Sequence, residues 1–227
     1  MGIMSVEKFQ HLFWLGRYTE RVFSTLRIFC KYYDKMIDND IEKIVYKDFC
    51  NKLGIPDVYG SKEVFLNNYL FDKSNPNSVG SSMVRAFDNA VVMRKEISTE
   101  TLSYIQLALD ELEKCKESSS PIVRLQKVMD YIFAFWGSVD DNVLEENFRN
   151  VMKTARYIER VDLYCRMGYS QPEIEKEFSK LKNRIGKIGM PYDEPLLQKL
   201  SDIVKDEEKL KLNYFTIIGN LGNLVKM

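Results

Sequence analysis

The chain has 227 residues, enough to bury a substantial core as one large domain or two small ones. Lysine plus arginine equals aspartate plus glutamate at 33 each, so no global excess of positive charge points to nucleic acid or an anionic membrane, and a basic site would have to be local. Cys30, Cys50, Cys115 and Cys165 contain no C-x-x-C pair, which argues against a zinc knuckle or a dithiol redox motif and for reduced, largely buried thiols in a cytosolic protein.

At the N-terminus Glu7, Lys8 and Arg17 surround a short apolar patch, unlike the uninterrupted apolar region of a secretory signal, so export is not expected. Val6 stands where a myristoylation motif starting at Gly2 would need Ser or Thr. No apolar run approaches the roughly 20 residues that span a bilayer. The spacing over 5–36 predicts one long helix, with Leu12, Leu15, Val22, Leu26, Phe29 and Tyr33 on a core-facing arc of about 100°. Shorter helices are expected at 40–53 and 61–71, separated by the breaker-rich "LGIPDVYGS".

In "FDKSNPNSVGSSMVRAFDNAVVMRKEIS", Asn75 is a candidate cap, Pro76 suits the first helical position, and the helix should run to about Glu96. Ser98 caps the next helix, expected to continue to about Lys116. After "ESSSP", where Ser120 and Pro121 repeat the cap-then-proline arrangement, a helix is expected at 121–136, and after "WGSVDD" a second long helix at about 140–168. Ser170 and Glu173 form an S-x-x-E capping box for a helix reaching about Gly186. "GKIGMPYDEP" then breaks the chain before a helix starting near 194. The last segment, "NYFTIIGNLGNLVKM", fits either a helix or an extended tail. The fold class is therefore an all-α multi-helix bundle, read as a single helical domain over 1–227, with two long helices carrying a repeated element.

That element is Arg17-Tyr18-x-Glu20-Arg21-Val22, which returns as Arg156-Tyr157-x-Glu159-Arg160-Val161; Arg27 likewise returns as Arg166. Arg17, Glu20, Ser24 and Arg27 occupy an arc of about 80° beside the apolar stripe. Leu163 replaces Ser24 in the second copy, so its polar stripe is less complete. Arg17 and Arg21 stand at i,i+4, as do Arg156 and Arg160, and like charges at that spacing cost a few tenths of a kcal/mol. Arg17 also precedes Glu20 in the weaker order for an intrahelical pair. The arginines are thus poorly compensated within their own helices, and acceptors from elsewhere are expected.

Two kinds of acceptor compete. In the first, the long helices lie side by side, Glu20 meets Arg160 or Arg156, and Glu159 meets Arg17 or Arg21, as a register-fixing ion-pair network. In the second, several arginines and the "NPNS" helix start converge on an anionic ligand, since guanidinium forks match carboxylate and phosphate. The structural network is favoured, because clustered charges are common in scaffolds. A mixture, with Glu holding Arg ready for a ligand, stays open.

Other sites find little support. His11 is the only histidine, and it reads as a helix-face residue rather than a catalytic base. The two Glu-x-x-His pairs of a carboxylate di-iron bundle are missing. Stretches such as "DELEKCKE" and "KDEEKLK" read as solvated faces. "GNLGNL" lacks the setting of a dinucleotide loop, there is no Walker A sequence, and the aromatics fall at helical spacing as core rather than as a base-stacking platform. No metal or cofactor is implied.

Three ordered stretches, "FWLGRYTERVFSTLRI", "FDKSNPNSVGSSMVRAFDNAVVMRKEIS" and "FRNVMKTARYIERVD", resemble the bacterial alpha-E proteins, a predominantly helical family named for its Glu-Arg motif, from about Ser5 to Arg166. The family pattern carries over to Arg17, Glu20 and Arg21, to Asn75, Pro76 and Ser78, to Arg85, Asn89 and Arg94, and to Glu159 and Arg160. The chain departs from it in having Tyr-Thr and Tyr-Ile before the Glu-Arg pairs, where Leu-type residues are usual, and in being short beyond Arg166. Such proteins are typically encoded with or fused to circularly permuted ATP-grasp proteins, often beside transglutaminase-like proteins and proteasome-like peptidases. The resemblance therefore implies an accessory helical protein in the synthesis, modification or turnover of a peptide or amide-linked product. A circularly permuted ATP-grasp protein and a peptide or anionic small molecule are the expected partners, without nucleic acid or membrane. The alternatives are a transferase or ligase component using the Arg/Glu stripe to hold an anionic substrate, with Glu20 or Glu159 as base, and a purely structural oligomerisation module.

Overall fold

The computed structural model describes residues 4–38, 42–118 and 121–226. Among them the regular elements are helices, with one isolated antiparallel bridge between Tyr192 and Val225. The chain divides into two compact units, Tyr18–Leu144 and a second made of Met1–Arg17 with Glu145–Met227. Helix α1, Val6–Asp38, contributes to both.

In the unit of Tyr18–Leu144, the later part of α1 is joined by α2 (Glu42–Leu53), α3 (Lys62–Phe71), α4 (Val79–Val92), α5 (Arg94–Ile97), α6 (Thr99–Lys116) and α7 (Pro121–Asn142). Val22, Leu26 and Phe29 are fully buried along one stripe of α1, as the helical periodicity predicts. Phe29, Phe49, Phe65 and Tyr69 interlock as an aromatic core, with ring centroids 5.2–6.5 Å apart in stacked, tilted and edge-on pairs. Burial inside this cluster pushes the Tyr69 hydroxyl far above its ordinary range, opposed by the Arg21 charge and a hydrogen bond with Thr25.

Three boundaries differ from the sequence expectation. Asn75 does not cap α4: its Oδ1 accepts from the Asn77 backbone N–H at 3.0 Å and its amide donates to the Tyr59 hydroxyl at 3.1 Å. Ser78 caps instead, accepting from the Ser81 N–H at 2.9 Å and donating to the Asp72 carbonyl at 2.6 Å. Pro76 consequently lies in the preceding turn rather than at the first helical position. The helix expected to reach Glu96 breaks at Met93 (φ −91°, ψ 14°), whose side chain is buried, and α5 follows as a separate short turn that buries Ile97.

The third difference is at "WGSVDD", which does not break α7. Trp136, Ser138 and Val139 are buried. The Ser138 hydroxyl lies 2.8 Å from Thr101 Oγ1 and accepts from the Asn142 amide at 2.9 Å. Packing and these bonds satisfy the residues that would otherwise favour a turn, so α7 runs to Asn142 and the next helix begins only at Glu146. Ser98 caps α6 as expected, accepting from the Thr101 N–H at 3.2 Å, and does so at φ 74°, a left-handed conformation unusual for a residue with a side chain. The Ser120 cap lies outside the described residues.

The other unit comprises residues 6–17 of α1 with α8 (Glu146–Met167), α9 (Gln171–Ile185), α10 (Glu194–Val204) and α11 (Glu207–Leu221). Leu12 and Leu15 of α1 are fully buried. Helix α8 ends in a left-handed cap at Gly168 (φ 68°), beyond which Tyr169 stacks on Tyr164 at 4.1 Å. The Ser170–Glu173 capping box opens α9. The final segment is a helix with a kink at Asn213 and then a short 3₁₀ turn, and its end is tied back by the Asp193 N–H to the Leu224 carbonyl at 2.8 Å.

None of the four cysteines is in a disulfide: Cys50, Cys115 and Cys165 are buried and Cys30 is half-buried. Burial pushes Cys50 and Cys165 up to about 12 and Cys115 up to about 11. No described helix is long and apolar enough to cross a membrane.

Candidate functional site

The two Glu-Arg pairs fall in different units, Glu20–Arg21 in one and Glu159–Arg160 in the other. Around the second pair, Gly16 brings α1 against α8. A Cβ on Gly16 would lie 2.4 Å from the Met152 carbonyl oxygen and 3.0 Å from the Ala155 Cβ, so the two backbones meet where no side chain fits. The next residue, Arg17, then donates from Nε to Glu159 Oε2 at 2.5 Å, while its guanidinium carbon lies 5.9 Å from the centre of the Trp14 ring. Glu159 is 2% exposed and Arg17 13%, so the pair is withdrawn from water.

Arg160, itself buried, donates to Glu177 of α9 at 3.3 Å. Glu177 is buried as well and also accepts from Lys180 at 2.7 Å, and the Lys180 ammonium sits 5.7 Å from the Tyr157 ring centre. Two residues beyond Arg160, Asp162 accepts from Arg166 at 2.7 Å. Burial raises the Asp162 carboxyl above its ordinary value, and the neighbouring Glu159 charge adds to this against the Arg166 hydrogen bond. Arg156 is half-buried on the same helix. Arg17 and Glu159 are thus one of the cross-helix pairs that the repeated string allows. Glu177 and Lys180 are not foreseeable from it, because nothing in the local pattern of α9 says which helix it will face.

Around the first pair, Glu20 is fully buried and accepts a short hydrogen bond from the Ser24 hydroxyl one turn on. Arg21 and Arg85 of α4 share the Tyr18 ring, each guanidinium carbon 5.6 Å from its centre. Arg85 and Asn89 are linked through the helix, the Asn89 amide donating to the Arg85 carbonyl at 2.7 Å. The structure therefore brings together Tyr18, Arg21 and Arg85, three positions from two stretches of sequence. It does not place every candidate there. Arg27 is exposed over the Phe23 ring, Arg94 is exposed on α5, and Asn75 and Ser78 are engaged in the turn before α4.

No group of three or more His, Cys, Asp or Glu able to hold a metal ion occurs among the described residues. His11 is a half-buried residue on α1. Charged side chains that are buried and bonded to other groups of the same chain have the geometry of a scaffold. The half-buried Arg21–Tyr18–Arg85 group keeps the chemistry to hold an anion, since each guanidinium has five donors in a planar fork.

The family model that matches, Alpha-E, is described as a predicted alpha-helical domain with a conserved ER motif, and it covers residues 8–183. No curated protein and no solved structure matches the chain.

Proposed function

This chain belongs to the Alpha-E family, and from that membership we propose that it is a non-catalytic accessory protein of a pathway in which an ATP-grasp enzyme makes or modifies a peptide or amide linkage, and that it works by binding that enzyme. One observation carries the reading. Both glutamates of the repeated motif and two of its arginines are engaged inside the protein: Glu20 is bonded to Ser24, Glu159 to Arg17 and Arg160 to Glu177, with Glu20, Glu159 and Arg160 all buried. A general base has to reach a substrate proton, whereas a buried carboxylate held by arginine sets helix register. The motif then builds the scaffold, and recognition belongs to the outer surface.

Co-purification of the full chain with its cognate circularly permuted ATP-grasp protein, under reducing, low-salt conditions, tests this. A stable complex is expected, and separate elution of two folded proteins refutes the reading.

A second reading is favoured by the paired guanidinium groups on Tyr18. In it the chain is an enzyme component that holds a carboxylated or phosphorylated substrate on Arg21 and Arg85. Arg21→Ala and Arg85→Ala variants that stay folded should then abolish formation of the pathway product. Unchanged product formation discards it.

A further inference from the structure

We propose that an open groove walled by α3, α4 and α6 is a binding site for a short zwitterionic peptide with free ends. The groove lies wholly within the unit of Tyr18–Leu144 and has a volume of about 450 Å³, inside the range typical of ligand pockets. Phe71, Leu109 and Leu112 give it an apolar floor, and polar groups stand at its rim. Its frame is fixed: a Cβ on Gly80 would lie 3.1 Å from the Phe71 carbonyl oxygen, so the first turn of α4 is seated directly on the last turn of α3.

The rim carries both signs of charge in equal number. Lys73 and Glu113 form an ion pair between the 72–78 turn and α6, each about half exposed. Asp72 and Lys116 supply the second couple. Two bonds from Ser74, its N–H at 2.9 Å and its hydroxyl at 2.6 Å, fix the Asp72 carboxylate. They hold its carboxyl below the ordinary range, with the Lys116 charge contributing in the same direction. Asn67 and Asn68 add side-chain amides, each with donors and an acceptor suited to a peptide bond.

This arrangement selects its occupant. A ligand with net charge of either sign meets a like charge on the rim, whereas a dipolar one offers an ammonium to Asp72 or Glu113 and a carboxylate to Lys73 or Lys116. A sphere of this volume is roughly 9.5 Å across, and three extended residues span about 10 Å. A tripeptide therefore matches the groove in length, and Phe71, Leu109 and Leu112 offer its central side chain an apolar surface. The inference goes beyond the partner reading and stands or falls separately from it.

Isothermal titration of the full chain with Ala-Leu-Ala, and with the same peptide acetylated and amidated at its ends, tests the site. Saturable one-to-one binding is expected for the free peptide, with the blocked form about tenfold weaker. Glu113→Lys and Lys116→Glu, both at exposed positions, should each weaken binding about three- to fivefold while helical circular dichroism is unchanged. Absence of saturable heat in the millimolar range overturns the proposal, as does equal affinity for the blocked peptide or unchanged affinity in both variants. Because the variants leave the rest of the surface intact, they should still co-purify with the ATP-grasp partner, which keeps failure of this site distinct from failure of the partner reading.

Discussion

Removal of either member of the Arg17–Glu159 pair should destabilise the protein far more than removal of both. The two charges are buried and bonded at 2.5 Å, with Glu159 2% and Arg17 13% exposed, so solvent screening reduces their attraction little. Charge centres about 4 Å apart at an effective dielectric constant of about 20 attract by about 4 kcal/mol. Stranding one charge in the interior costs about 3–5 kcal/mol, while replacing the couple with apolar groups of similar volume is often close to neutral. Glu159→Leu and Arg17→Met should therefore each lower stability by about 3–5 kcal/mol and the double variant by only about 1–2 kcal/mol, which makes the coupling energy at least about 4 kcal/mol. Urea denaturation of the four proteins, followed by circular dichroism, closes the cycle. For a chain of this size, each single change corresponds to a fall in Tm of roughly 6–20 °C. A coupling energy below about 0.5 kcal/mol would mean that the two residues act independently, and the view of the motif as a register lock would be wrong.

Gly16→Ala should lower Tm despite the roughly 1 kcal/mol gain in helix propensity, because the added methyl would lie 2.4 Å from a backbone oxygen; a Tm at or above the parent's would show that α1 can retreat from α8 at no cost. Ser98→Gly should be close to neutral, relief of the positive φ offsetting the lost cap, whereas Ser98→Ala keeps the strain and loses about 1 kcal/mol of capping, an ordering that thermal melts can check. The raised Asp162 carboxyl contributes stability that is full below its ordinary value of 3.8 and lost as pH rises through its elevated native value. Urea midpoints of the parent minus those of Asp162→Asn should therefore fall as pH rises across that window, and a flat or rising difference would contradict the assignment. With a thiol-reactive disulfide such as dithionitrobenzoate at mildly alkaline pH, Cys30 should react first and the three buried thiols only after denaturation; fast reaction of more than one thiol in the native protein would refute the burial argument.

How far the sequence reaches differs between elements for a physical reason. The Ser170–Glu173 box, the Ser98 cap and the apolar stripe of α1 are readable because each depends on residues within one or two turns of one another. At "SNPN" the local pattern favours Asn75 as the cap, but Tyr59, distant in sequence, and Asn77 engage its side chain, and Ser78 does the capping. At "WGSVDD" the turn-favouring composition yielded to Thr101, which supplies Ser138 with a partner and lets α7 continue. In both places a contact between distant residues outweighed a preference worth about 1 kcal/mol.

The sequence by itself determined that the chain is helical, that its arginines needed acceptors from beyond their own helices, and that one motif occurs twice. Those properties follow from side-chain spacing at 100° per residue and from charge order along a helix. Only the tertiary structure decided which acceptors they have. Arg17 reaches Glu159 because Gly16 lets two backbones meet, Arg160 reaches Glu177 because α9 packs on α8, and Arg21 and Arg85 share Tyr18 through the packing of α4 with α1. Pairing between helices depends on which faces become neighbours, a choice made by the whole core rather than by any short stretch of it.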